Sequence, residues 1–282
     1  MKNLPMSSKT LPTSKKNRNC YMETFCLHDK DIIETFLRKQ PLTHLYELGD
    51  LDDFFWSHTS WYALMHDQNI VQIALLYTRS VPPILLYFPE KESEQAEEFL
   101  HSLIPHLPQT FHAHLGSEIS YRMPETYQQE TYGLHYKMAL QNPAAIKNID
   151  TSNVVPLTSD DTLEVEDFYR RSYPGNWFDA RLLGSGCYFG VRSGSTLISA
   201  AGIHVYSPSY KVAVLGNVAT HPVARGQGFA TSVCARVCQE LQLHVKHIGL
   251  NVKANNHAAI ACYQRLGFEQ VTAYEECLCT LR

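Results

Sequence analysis

Apolar positions follow two rhythms along the chain. In residues 29–38, Ile32, Ile33, Phe36 and Leu37 repeat at helical spacing, and residues 45–55 add further apolar and aromatic positions around Gly49 and four acids. Runs rich in branched and aromatic residues then predict strands over 61–65, 70–77 and 84–88, with Pro82-Pro83 separating the last two. A helix over 93–104 and a strand over 131–140 close this first series.

The pattern breaks over Gln141-Asn-Pro-Ala-Ala-Ile-Lys-Asn-Ile-Asp150 and restarts with a short strand in 153–158. A helix follows over 162–172, strands over 187–192, 197–206 and 211–219, a helix over 228–245, a strand over 247–252, a helix over 256–266 and a last strand. Hairpins mixed with crossovers predict an α/β fold of the α+β kind with a mixed sheet. The break places a domain boundary near 142–152, giving domains over 20–145 and 150–282 behind a tail at 1–19. That tail holds Lys2, Lys9, Lys15, Lys16 and Arg18 without an acid and is expected to be disordered.

A hydrophobic share of 44% is ordinary for a soluble fold, and a net charge of -4 gives no basic excess for nucleic acid. No run of apolar residues suits a membrane span or a secretory signal, which points to a cytoplasmic protein without a membrane partner. The eight cysteines include no C-x-x-C pair and lie mostly in apolar periodic segments, so core packing in a reducing compartment explains them and no metal is expected.

One segment carries chemistry: Val218-Ala-Thr-His-Pro-Val-Ala-Arg-Gly-Gln-Gly-Phe-Ala-Thr231. A strand cannot continue its ladder through Pro222, and Gly226 and Gly228 permit a tight turn into a helix whose Phe229, Val233, Val237 and Leu241 form one apolar face. Unpaired N–H groups at such a helix start, with Arg225 beside them, suit a phosphate anion. A dinucleotide fingerprint would need a third glycine where Thr231 stands, and an acid about 20 residues on. Residues 241–268 contain no acid at all.

Arg225, Gly228 and Ala230 fit the acetyl-CoA pattern of the GNAT acetyltransferases, and Asn256-His-Ala-Ala-Ile-Ala-Cys-Tyr-Gln-Arg-Leu-Gly-Phe268 is similar to that family's second cofactor motif. The resemblance covers about 153–282. It implies acetyl-CoA as donor and a primary amine as acceptor, either a small molecule or a protein N-terminus or lysine, in a monomer or homodimer. It further implies that Val218, Ala219 and Thr220 pair with the pantetheine arm and that Arg225, Gly226, Gln227, Gly228, Phe229, Ala230 and Thr231 hold the pyrophosphate. Asn251, Asn256 and Ala259 would also contact the cofactor, and Tyr263 would sit near the sulfur as general acid.

The base is not given by the resemblance, because the fourth-strand glutamate of many members is absent from Lys211 to Thr220. A water chain or His204 could take that role, or Asn217 could orient substrate. Tyr173, Trp177 and Phe178, clustered around Pro174 and Gly175, are expected to line the acceptor pocket. The first half lacks a glycine-rich turn, and Pro89-Glu-Lys-Glu-Ser-Glu94 stands where an anion cradle would be. Its element order resembles a degenerate first copy in a tandem pair of GNAT-like domains, and the layout resembles the glycine N-acyltransferase-like branch. The alternative is a CoA-binding regulatory or interaction module that transfers nothing.

Overall fold

The computed structural model describes residues 23–66, 69–89 and 94–282. The expected basic tail, and the Glu90–Ser93 part of the stretch expected in place of an anion cradle, lie outside these residues. In chain order the elements are β1 (Glu23–Leu27), α1 (Lys30–Leu37), α2 (Leu45–Gly49), α3 (Asp53–Trp56), β2 (Thr59–His66), β3 (Asn69–Tyr77), β4 (Ile84–Tyr87), α4 (Glu94–Ser102), β5 (Thr110–Gly116) and β6 (Tyr127–Leu140). There follow β7 (Val154–Pro156), α5 (Thr162–Ser172), β8 (Phe189–Ser193), β9 (Thr196–Ser207), β10 (Val212–Thr220), α6 (Phe229–Leu241), β11 (His247–Lys253), α7 (His257–Arg265) and β12 (Phe268–Leu281).

All twelve strands form one mixed sheet in the order β1-β2-β3-β4-β5-β12-β6-β11-β10-β9-β8-β7. Read inward from either edge, the two sides match: three antiparallel pairings, then one parallel pairing, β4 with β5 on one side and β10 with β11 on the other. The strand that completes each row comes from the other half. β12 pairs with β5, β6 pairs with β11, and the two exchanged strands pair with each other in the middle. The sheet therefore runs unbroken across the 142–152 region, where residues Pro143–Asn148 form a 3-10 helix with Ile146 buried.

The cores record the same exchange. Cys277 and Cys279 of β12 are buried with Phe99, Phe111 and Leu115 of the first half, while Met138 of β6 is buried with the second half. Alternation along β10 separates two layers: Ala213 and Leu215 share a core with Val233 and Val237 of α6, whereas Val212 and Val214 share one with Ile33 of α1 and Leu45 and Leu48 of α2. That second core also holds Ile73 and Leu86 of the first half and Tyr274 of β12, so α1 and α2 cover both halves.

Most elements lie where the periodicity places them. β1 and β5 are additions to the sequence reading. In Thr110–Gly116 the buried Phe111, Ala113 and Leu115 alternate with His112 and His114, a period-two signal made faint by its polar members. α4 ends before Pro105, and α6 stops at Leu241 rather than Val245 because Gln242 already caps it. Among the described residues no helix is long and apolar enough to cross a membrane.

Candidate functional site

The fourth strand of the second half is broken in a specific way. Its register with β9 shifts between Gly216 and Ala219, and Asn217 sits in the left-handed region at φ 54. Two buried tyrosines hold that conformation. The Tyr169 hydroxyl donates to the Asn217 carbonyl at 2.6 Å, and Asn217 Nδ2 donates to the Tyr188 hydroxyl at 3.2 Å. Asn217 Oδ1 is left buried without a partner among the described residues. On its other side β10 pairs with β11 only as far as Leu215 opposite Leu250, while β11 continues to Lys253 against β6. From Gly216 onward the two parallel strands part, and Ala219 and Thr220 keep only their β9 partners Ala200 and Ser199.

β10 leads through Pro222–Ala224 into Arg225, Gly226 and Gly228, the last two at φ 78 and 85. Gly228 is the N-cap of α6, and no side chain caps that helix, so its first N–H groups are open to an anion. A Cβ built on Gly226 or Gly228 would meet no atom within 4 Å, which leaves clear space above the turn. Arg225 and Gln227 are exposed there, and Arg225 Nε donates to the Thr220 carbonyl at 3.2 Å. Ala230 is half-buried, and Phe229 packs on the core. The Thr231 hydroxyl is engaged with Cys262 Sγ at 3.3 Å, so that residue offers its backbone N–H.

α7 packs against β12 and α6. Asn256 caps it, its side-chain oxygen accepting from the Ala259 N–H at 3.2 Å, while Ala259 is half-buried. Asn251 is half-buried on β11. Tyr263 is buried with its ring 6.1 Å from that of Phe268. Burial first, and then the neighbouring thiols of Cys234 and Cys262, hold its phenol well above the usual tyrosine range, so it keeps its proton at neutral pH.

Of the expected acceptor wall, Phe178 packs inward on Tyr169 and Tyr188, at 5.1 and 5.7 Å between ring centroids. Tyr173 and Trp177 remain 44% and 47% exposed, and Trp177 meets His112 of β5 edge-on at 5.7 Å, so this wall reaches the first half. His204 lies against Gly216, 6.5 Å from the ring of Tyr46 on α2, and burial lowers its pKa to about 4. A base that weak takes little proton from an ammonium at neutral pH. Tyr46 lies on this face beside His204, and His114 and His135 flank Glu276 at 3.8 and 3.3 Å; no motif marks these residues in the sequence. Among the described residues no group of three or more His, Cys, Asp or Glu is arranged to hold a metal.

The histidines carry a stability consequence. His204 and His114 have folded pKa values lowered by burial to about 4 and about 3, below the unfolded value of 6.5. Between those limits the unfolded chain binds protons that the folded chain does not, so stability is lost as pH falls from about 6.5 toward 4. Burial raises Asp50, which acts in the opposite sense, so wild type is compared with His204→Phe. Urea titrations at pH 7 and 5 should show a smaller loss in the variant.

No curated protein matches the sequence. Among solved structures, a Drosophila protein superposes with a TM-score of 0.67 at 14% identity, over 92% of this chain and 98% of that one. A GNAT-family acetyltransferase from Colwellia psychrerythraea gives a TM-score of 0.55 at 12% identity, covering 92% of this chain and 99% of that one. A tandem GNAT protein from the clavulanic acid biosynthesis pathway gives 0.52 at 12% identity, covering 92% and 98%. At these identities the likeness is one of fold. Residues 153–268, which carry the parted strand, the glycine turn and both flanking helices, match the model of the Acetyltransferase (GNAT) family.

Proposed function

We propose that the chain is an N-acetyltransferase that moves an acetyl group from acetyl-CoA to a primary amine. The observation that carries this reading is the parting of β10 from β11 immediately before an uncapped helix entered through two left-handed glycines. Arg225 to Gly228 and the first N–H groups of α6 suit a pyrophosphate, and the edge of β10 that has no strand partner beyond Leu215 suits an amide-bearing arm such as pantetheine along 218–220. Asn251, Asn256 and Ala259 border that arm. Acetyl-CoA, as substrate, supplies an acyl carbonyl activated by its thiol leaving group.

Tyr263 is assigned as the acid, because a phenol kept neutral by burial gives its proton only to a stronger base such as a thiolate. Asn217 is assigned the holding of the bulge, since its main-chain carbonyl accepts from Tyr169 and its Nδ2 donates to Tyr188. Tyr173 and Trp177 are assigned to the acceptor wall, with Phe178 behind them. The first half is assigned as a degenerate copy of the same unit: β4 pairs with β5 along all four of its residues, so no wedge opens there. The layout favours a small amine or amino acid, as in the glycine N-acyltransferase-like branch.

Calorimetric titration with acetyl-CoA, followed by thiol-release assays over amino acids, polyamines and peptides, tests the reading. Micromolar binding with thiol release for one amine class is expected. Binding without release from any amine would favour a CoA-binding regulatory module, and absence of binding would end the assignment.

A further inference from the structure

The acceptor side needs a group that removes a proton from an ammonium, and β10 carries no acid. The exchanged strands bring one to the same face of the sheet. Gly216 follows Val212 and Val214 onto the face under α2, where a Cβ at Gly216 would collide with the His204 ring. Tyr274 of β12 is buried in that same core, and Glu276 lies two residues further along the strand, before the register shift at Cys277. Glu276 thus shares a face with the mouth of the β10–β11 gap.

Its surroundings come from three elements of the first half. Glu276 Oε2 lies 3.3 Å from His135 Nε2 on β6 and 3.8 Å from His114 Nε2 on β5, with its side chain 19% exposed. Burial, then the Asp50 charge and then that of Glu276 raise the phenol of Tyr46 on α2. From the second half, burial first and then the Glu276 charge raise the Tyr173 phenol, and Trp177 meets His112 of β5, two residues from His114, at 5.7 Å. His112, Tyr132, Tyr274 and Cys277 also feel the Glu276 charge, and His114 that of Lys137. The other carboxylates on this face are committed or enclosed: Glu47 is buried against His44 at 3.0 Å and Lys137 at 3.7 Å, and Asp50 is buried.

His135 fixes how this group handles a proton. Its Nδ1 lies 2.9 Å from the Gly133 carbonyl, which only accepts, so Nδ1 donates and Nε2 carries no hydrogen in the neutral ring. The Nε2–Glu276 contact therefore has room for one shared proton. His114 stays neutral because burial lowers its pKa to about 3, so it does not neutralise the carboxylate.

We propose, resting on the acetyltransferase reading, that Glu276 binds the ammonium of the acceptor and takes its proton, with His135 as the positioning residue whose Nε2 lone pair accepts a hydrogen bond from the Glu276 carboxyl once that proton has arrived. The N–H bond breaks, an O–H bond forms on Glu276, and the electron pair stays on nitrogen as the lone pair that attack requires. The acceptor site is then built by both halves, and the first half supplies function without binding CoA.

The test has two arms on the full chain. In the first, ¹³C-histidine NMR follows the His135 ring as ethylammonium chloride is added without any CoA. A saturable shift absent with sodium chloride at equal ionic strength, and absent in Glu276→Gln, is expected. In the second, thiol release is measured with the amine class that turns over. Glu276→Gln should lower kcat/KM by about 10²-fold or more and displace the acid limb of its pH profile, with acetyl-CoA affinity within about twofold. The exposed Glu269→Gln serves as control and should match wild type. A His135 ring indifferent to ethylammonium in the wild type, or wild-type kcat/KM in Glu276→Gln, overturns the proposal. Failure of the acetyltransferase reading is separable, since it shows as missing acetyl-CoA binding or thiol release in the wild-type chain.

Discussion

Gly228→Val is expected to weaken acetyl-CoA binding by about 10- to 100-fold or more while leaving the fold intact. Two effects add. Gly228 has φ 85, a region that a β-branched residue occupies only at a cost of about 1–3 kcal/mol. Relieving that strain would turn the first N–H groups of α6 away from their common focus. The added side chain also enters space that is clear of protein within 4 Å, which is where an anion would approach those groups. Each 1.4 kcal/mol is a factor of ten in affinity, so the strain alone accounts for the lower part of the range. Calorimetry reads the affinity, and circular dichroism shows that the variant is folded. Micromolar binding by a folded Gly228→Val would remove the turn from the cofactor site.

Tyr263→Phe separates binding from chemistry. The ring is what packs on Phe268, and the substitution keeps it, so stability and acetyl-CoA affinity should change little. The hydroxyl is what burial holds protonated, and its loss should lower kcat by about 10- to 10⁴-fold, the range for a general acid. Single-turnover thiol release resolves the step. An unchanged rate would reassign Tyr263 to packing against Cys234 and Cys262.

The parts of the site legible in the sequence are those made by neighbours in the chain. The turn at Arg225 to Gly228, the apolar face of α6 and the Asn256 cap are each fixed within a few residues, and a strand that meets Pro222 must end. The bulge at Asn217 was not legible. Its left-handed backbone depends on Tyr169 and Tyr188, which come from a helix and a strand edge about 30 to 50 positions away and carry no motif. His114, His135 and Glu276 were hidden for a related reason. Each sits in an ordinary strand, and only the pairing of β5, β12 and β6 sets them side by side. The exchange of β6 and β12 has no local signature either, because both strands read as the natural close of their own half.

That exchange bears on how the molecule is made. During synthesis β5 and β6 appear long before β12, and until residues 268–281 leave the ribosome each lacks the neighbour that will lie between them. Two hydrogen-bonding edges in the middle of the future sheet stay open through the whole translation of the second half, a state prone to pairing with the wrong chain. Once β12 is inserted, both edges vanish together. Commitment to the folded state is therefore a late event shared by the two halves, and the nascent chain is a natural client for a chaperone until that strand arrives.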